Sequence, residues 1–113
     1  MHELSVTESL LNITLEHAEK ANAKRVTDLH IVIGELASMV DDSIQFYWDI
    51  IAKDTIAEQA TLHFHRVPAE LECKTCFEKY HPTDKELACP KCNGVNTKII
   101  AGEEFRLESI DVE

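Results

Sequence analysis

All four cysteines of the chain fall in one short pattern. Cys73-Lys74-Thr75-Cys76 is followed by twelve residues and then by Cys89-Pro90-Lys91-Cys92. Two C-x-x-C pairs at that separation predict two tight turns that face each other. Each turn aims backbone amides at its own pair of sulfurs, and the four thiolates close a tetrahedron suited to Zn²⁺. Asn93-Gly94 supplies the left-handed backbone that the second turn needs on its exit. Two disulfides are the bland alternative, but the N-terminus carries no secretory signal pattern and a reducing compartment opposes them. A thioredoxin-type redox centre needs a single C-x-x-C at a helix start, which two matched pairs fit poorly. Iron in the same cage is the serious competitor, because tetrahedral thiolates suit both metals. Four protein ligands leave no coordination position for water or substrate, so a zinc ion here is structural. Function must therefore be sought elsewhere in the chain.

A second set of metal-binding groups stands at the amino terminus. If the terminus is free, the Met1 amine, the His2 backbone nitrogen and the His2 imidazole close five- and six-membered chelate rings around one ion. The Glu3 amide nitrogen can join the His2 nitrogen in a further five-membered ring. Deprotonated amides are strong-field ligands that favour Ni²⁺ or Cu²⁺ over Zn²⁺ or Mg²⁺. A planar ion would use some of these groups and complete its shell from another residue. An octahedral ion could hold all of them and add Glu3 or a nearby carboxylate. Chelation requires that Met1 be retained, which the bulk of His2 favours. The competing reading is a surface histidine near a terminus with no ligand role. The same bland reading covers His17 at a helix end, His30, His63 and His65 on strand faces in water, and His81 in a loop. His81 could replace a thiolate only if one cysteine failed to reach.

Composition limits the functions on offer. The 113 residues make one ordinary domain, or a small domain carrying a smaller metal-stapled one. Apolar residues at 44% suffice for a modest core, and the stretch around the cysteines needs its metal to offset a shortage of buried surface. The net charge of −10 repels phosphate backbones, which argues against nucleic acid as a partner, while it favours cations and basic proteins. No apolar run reaches membrane-spanning length, so a soluble, cytoplasmic protein with no membrane span is expected. No nucleophile, base and oxyanion set is legible, so no enzyme activity is expected.

The elements that must position these groups follow from periodicity. Ser5 and Glu8 read as a capping box, and Val6, Leu10, Ile13 and His17 form a helical stripe widened by Leu11, Leu15 and Ala18. The helix should leave through 22–24. Residues 25–36 change to period two, with Leu29, Ile31 and Ile33 inward, and Gly34 marks a bulge or a close backbone approach. Asp41, Asp42 and Ser43 can cap a second helix, in which Ile44, Tyr47, Trp48 and Ile51 form the stripe beside Phe46 and Ile50. Core packing explains Trp48 better than cofactor stacking does. A strand over 60–67 places Leu62 and Phe64 inward, and His63 and His65 outward. At the C-terminus, Phe105 and Leu107 and then Ile110 and Val112 change parity, implying a bulge or two short strands. The expected fold is α+β: a small two-helix domain on an antiparallel sheet with an inserted four-cysteine zinc ribbon. The domain spans 1–69, its sheet completed by 103–113, and the ribbon spans 70–102.

Taken in order, Met1-His2-Glu3-Leu4-Ser5, Ile33-Gly34-Glu35-Leu36 and the two C-x-x-C pairs resemble the hydrogenase nickel-incorporation family HypA/HybF over essentially the whole chain. The resemblance implies a nickel metallochaperone, with Ni²⁺ at Met1, His2 and Glu3, and structural Zn²⁺ at Cys73, Cys76, Cys89 and Cys92. It implies partnership with the hydrogenase-maturation GTPase, delivery to the large subunit of [NiFe]-hydrogenase and, for some members, urease accessory proteins. In some relatives an acidic residue after the first strand is a further candidate nickel ligand. Asp41 occupies about that place here, with Asp42 one residue away. In others a zinc-domain histidine approaches the nickel, whereas this chain has His81 and no histidine after Cys92. The alternatives are a protein-interaction zinc ribbon without nickel transfer and an electron carrier with iron in the cage.

Overall fold

The computed structural model describes residues 3–37, 41–83 and 86–113. Its elements run α1 (Glu3–Lys20), β1 (Val26–Gly34), α2 (Asp41–Ile51), β2 (Thr61–Val67), β3 (Glu70–Cys73), β4 (Lys79–Tyr80), β5 (Thr97–Ala101) and β6 (Phe105–Val112). They form two three-stranded sheets, ordered β2-β1-β6 and β4-β3-β5, so the architecture is α+β. The described residues divide into two compact units. The first takes 3–31, 41–65 and 106–113, and the second takes 32–37, 66–83 and 86–105.

In the first unit α1 packs on α2. Helix α1 begins at Glu3, so Ser5 lies inside it and does not cap it. An acidic residue in the first turn complements the partial positive charge of the helix N-terminus. The buried stripe is Thr7, Leu10, Leu11, Thr14 and Ala18, while Ile13 and His17 are exposed. The expected stripe is thus rotated, and two threonines occupy it. Their hydroxyls can enter the core because each donates to a carbonyl one turn back: Thr7 Oγ1 to Glu3 O at 2.5 Å and Thr14 Oγ1 to Leu10 O at 2.8 Å. That leaves their methyl groups to pack. The helix exits through Asn22 at φ 53°, with the Ala23 amide donating to Ala18 O at 3.0 Å, the six-to-one bond of a Schellman ending.

Helix α2 buries Ile44 and Trp48 fully and leaves Phe46 and Ile50 mostly exposed, so its core face is narrower than the count of apolar residues implied. Strand β1 buries Val26, Leu29 and Ile31. Strand β6 meets β1 antiparallel, since Arg25 and Glu113 exchange backbone bonds and Thr27 Oγ1 donates to Asp111 O at 3.2 Å. On the other edge the contacts advance together, Asp28 with His63 and His30 with His65. That is the parallel sense, which the β1–α2–β2 crossover supplies. Strand β6 is continuous despite the parity change, its less exposed residues being Phe105, Leu107 and Ile110.

In the second unit, strand β3 pairs antiparallel with both β4 and β5, with Leu71 opposite Tyr80 on one side and Ile99 on the other. The apolar cluster around the cysteines is small: Leu71, Tyr80, Cys73 and Cys89, with Cys76 against them. Gly34 is a close backbone approach. A Cβ there would sit 2.0 Å from the carbonyl oxygen of Gly102. Around it the Gly34 amide donates to Glu104 O and the Leu36 amide to Gly102 O, both at 2.7 Å, and Arg66 donates to Gly34 O at 3.1 Å. Gly34→Ala should therefore lower stability by about 1–3 kcal/mol, the usual cost of overpacking a site whose neighbours are backbone. Denaturant unfolding of the zinc-loaded protein checks this, with a fall in midpoint at unchanged slope expected.

Candidate metal centres

The four cysteines come together in the second unit. Their sulfurs all lie within 4.8 Å of one another, the one such group of three or more ligands among the described residues. Cys73 and Cys92 are 3.5 Å apart at Sγ, as are Cys76 and Cys89. Sulfurs on one tetrahedral zinc, bonded at about 2.3 Å, stand roughly 3.8 Å apart, so the donor set and its spacing fit that ion. The two knuckles share one local design. The Phe77 amide donates to Cys73 O at 2.9 Å and the Asn93 amide to Cys89 O at 2.7 Å. The next strand-like bond runs from Cys73 N to Glu78 O and from Cys89 N to Gly94 O, each 2.9 Å. The residue after each pair has left-handed backbone, Phe77 at φ 65° and Asn93 at φ 62°. Asparagine tolerates that region, whereas an aromatic residue is strained in it.

The inward amides set the charge on the sulfurs. Amide bonds from Cys76 and Thr75 hold the Cys73 thiol down at about 6. Burial opposes ionisation of Cys89, but the amides of Cys92 and Lys91 outweigh it and lower that thiol too. The Glu78 amide favours a thiolate at Cys76, yet burial and the neighbouring sulfurs push it up to about 12. At Cys92 the Gly94 amide is likewise outweighed, chiefly by the Cys73 sulfur and by burial. Each 3.5 Å pair thus joins a sulfur inclined to thiolate with one inclined to thiol. Placing four sulfurs together carries a charge cost that a divalent cation relieves. His81 stands apart from this: its Nδ1 donates to Ala69 O at 2.9 Å.

Of the amino-terminal set, Met1 and His2 lie outside the described residues. Glu3 opens α1, half-buried, and Asp41 opens α2, half-buried, with Asp42 exposed beside it. A feature that periodicity did not show is on the first unit's sheet. The His30 ring stacks on both His63 and His65, and His30 and His63 pair with Asp111 and Asp28, so the three are not separate in water. Period-two alternation placed all three on an outer face, but only strand pairing and register could bring them together.

A family model described as "HypA: Hydrogenase/urease nickel incorporation, metallochaperone, hypA" matches residues 1–112. The chain belongs to the HypA family. Similar relatives include the hydrogenase maturation factor HypA of Dehalococcoides mccartyi strain 195, 45% identical over 113 residues, covering all of this chain and 95% of that one. The hydrogenase maturation factor HybF of Klebsiella pneumoniae is 34% identical, with both chains fully covered. Among solved structures, the nickel metallochaperone HypA from Helicobacter pylori matches at 31% identity and TM-score 0.65, over 99% of this chain and 97% of that one. A second HypA solution structure matches at 31% identity and TM-score 0.75, over 100% and 97%. The family is one of metallochaperones, a carrier role, not a catalytic one. No described helix is long and apolar enough to cross a membrane.

Two outcomes test the cage. Cys73→Ala or Cys92→Ala should unfold the second unit's small core while the helical circular dichroism largely survives. The lost thiolate removes much of a metal-binding free energy that is about 10–16 kcal/mol in small zinc modules. Complete loss of helix would contradict a separately stapled unit. Phe77→Asn should stabilise the same unit by roughly 0.5–1 kcal/mol by relieving left-handed strain. The side chain is 72% exposed, so little burial is lost. Slower zinc loss to a chelator is the readout.

Proposed function

We propose that the chain is a nickel metallochaperone that binds Ni²⁺ at its N-terminus and delivers it for [NiFe]-hydrogenase maturation. The family match over residues 1–112 carries this reading. The chemistry of the two donor sets supports it. Cys73, Cys76, Cys89 and Cys92 would hold a resident zinc, which supplies a crosslink and no open position for exchange. A cargo ion must be held where a partner's ligands can invade. Met1, His2 and Glu3 form such a set, with Asp41 as a candidate additional carboxylate and Asp42 next to it. Nitrogen-rich chelation would reject hydrated Mg²⁺ and favour Ni²⁺. Transfer is then ligand exchange, in which no covalent bond of the protein is made or broken.

In this reading 1–69, with 103–113 completing its sheet, is the nickel domain, and 70–102 is the zinc ribbon. The partners are the hydrogenase-maturation GTPase and the large subunit of [NiFe]-hydrogenase, with urease accessory proteins as further candidates. The protein acts in the cytoplasm.

His2→Ala in tag-free, zinc-loaded protein should abolish specific Ni²⁺ binding at the terminus in equilibrium dialysis, with zinc content and fold unchanged. A Gly-Ser extension before Met1 should do the same, because it converts the amine to an amide. Glu3→Gln should act more mildly, since its backbone nitrogen persists. Ni²⁺-dependent NMR shifts in the residues that follow Glu3 that survive His2→Ala would end the proposal and leave the interaction-ribbon reading standing.

A further inference from the structure

The exposed face of the first unit's sheet carries a cluster that the nickel and zinc readings do not use. His63 and His65 stand two residues apart on β2, and His30 and Asp28 stand two apart on neighbouring β1. Asp111 comes from β6 on the other side of β1. The His30 ring stacks on His63 with centroids 4.9 Å apart and planes within 12°, and on His65 at 5.6 Å and 20°. These rings are partly exposed, so core burial does not explain their gathering.

The hydrogen bonds give each ring a direction. His30 Nε2 meets Asp111 Oδ2 at 2.9 Å, and His63 Nε2 meets Asp28 Oδ1 at 2.8 Å. A carboxylate on one ring nitrogen fixes the proton there and leaves the other nitrogen as a lone-pair donor, the arrangement that metal-ligating histidines share. On His30 that other nitrogen, Nδ1, lies 3.3 Å from Nε2 of His65. Two imidazole nitrogens bonded at about 2.0–2.1 Å to one tetrahedral ion stand roughly 3.3 Å apart. The hydrogen bond between the rings therefore holds the two donors near the spacing that a shared cation requires. His63 lies outside that spacing, because no histidine belongs to a group of three or more ligands within mutual reach among the described residues.

We propose that His30 Nδ1 and His65 Nε2 form a second, exposed transition-metal site for an imidazole-preferring divalent ion such as Cu²⁺, Ni²⁺ or Zn²⁺. Asp111 positions His30. His63, oriented by Asp28, is the third donor, which a small ring movement recruits, and water completes the shell. Proton balance is simple. His30 keeps its Nε2 proton on Asp111, His65 shifts its proton from Nε2 to Nδ1, and the ion takes the two vacated lone pairs. The hydrogen bond from His63, and next that from Thr27, holds the Asp28 carboxyl below its usual value, which keeps that orienting charge in place. The chain's net charge of −10 favours cation approach.

The test uses the full, zinc-loaded protein with its N-terminus acetylated and His2→Ala in place, so that the terminus offers neither amine nor imidazole, and Cu²⁺ as probe. One equivalent should bind, with nitrogen hyperfine structure in the electron paramagnetic resonance spectrum. Paramagnetic broadening should centre on amides 28–31, 63–66 and 110–112. His65→Thr, a strand-compatible change at an exposed position, should weaken this binding more than tenfold. Asp111→Asn, which keeps the shape, should weaken it by about 10–100-fold, as loss of an orienting carboxylate does. Broadening centred elsewhere, or unchanged Cu²⁺ affinity in both variants, overturns the proposal. Failure of the terminal nickel reading is a separate result: Ni²⁺ binding that survives His2→Ala with the His65→Thr change also present.

Discussion

The constraint on which the second unit depends is the convergence of four sulfurs. The apolar cluster packed around the sulfurs amounts to Leu71 and Tyr80 with the cysteines themselves, too little to order the two knuckles without further help. Two knuckles of the same construction supply the missing order. Each aims amides at its first cysteine, and each turns back through a left-handed residue, Phe77 or Asn93. That the chain accepts strain at Phe77 shows how strongly the cage geometry governs the local backbone. Tyr80 adds a hydroxyl bond to Leu87 O at 2.7 Å, tying the loop before the second knuckle to the strand after the first.

The first unit is held by different means. Buried Leu10, Leu11, Ile44, Trp48, Leu29 and Ile31 provide an ordinary hydrophobic interior, and threonines on α1 join it because their hydroxyls bond within the helix. Glu113, directly after β6, is anchored by reciprocal backbone bonds with Arg25, reinforced by the Arg25–Glu113 ion pair. A unit built around four converging thiols and a hydrophobic unit are thus open to different perturbations, loss of a cage ligand for one and cavity formation for the other.

The proposed carrier role draws on this contrast. A saturated thiolate cage holds its ion by offering no position to an incoming ligand, which suits structure and is unsuited to delivery. A chelate at a chain end, or a pair of imidazoles on a sheet surface, leaves positions open and exchanges through them. The acidic character of the chain assists both, since it raises the local concentration of cations.

Much of this was legible in the residues themselves. The cysteine spacing determined the cage, because two C-x-x-C turns carry their geometry locally. The order of periodicities determined two helices, the strands β1 and β2 and the late return of β6, but not the short strands β3, β4 and β5 of the second unit, and Gly34 marked a close approach that proved to be with Gly102. Tertiary structure decided the rest. It rotated the buried face of α1 onto Thr7 and Thr14, since hydropathy counts a hydroxyl as polar without knowing that a carbonyl one turn back satisfies it. It left Phe46 and Ile50 exposed, since an apolar stripe is wider than the face that α2 buries. It also gathered His30, His63, His65, Asp28 and Asp111, which lie on three strands. Alternation says which face a residue takes. Which residues become neighbours on that face depends on strand order and register, set by pairing between segments far apart in the chain.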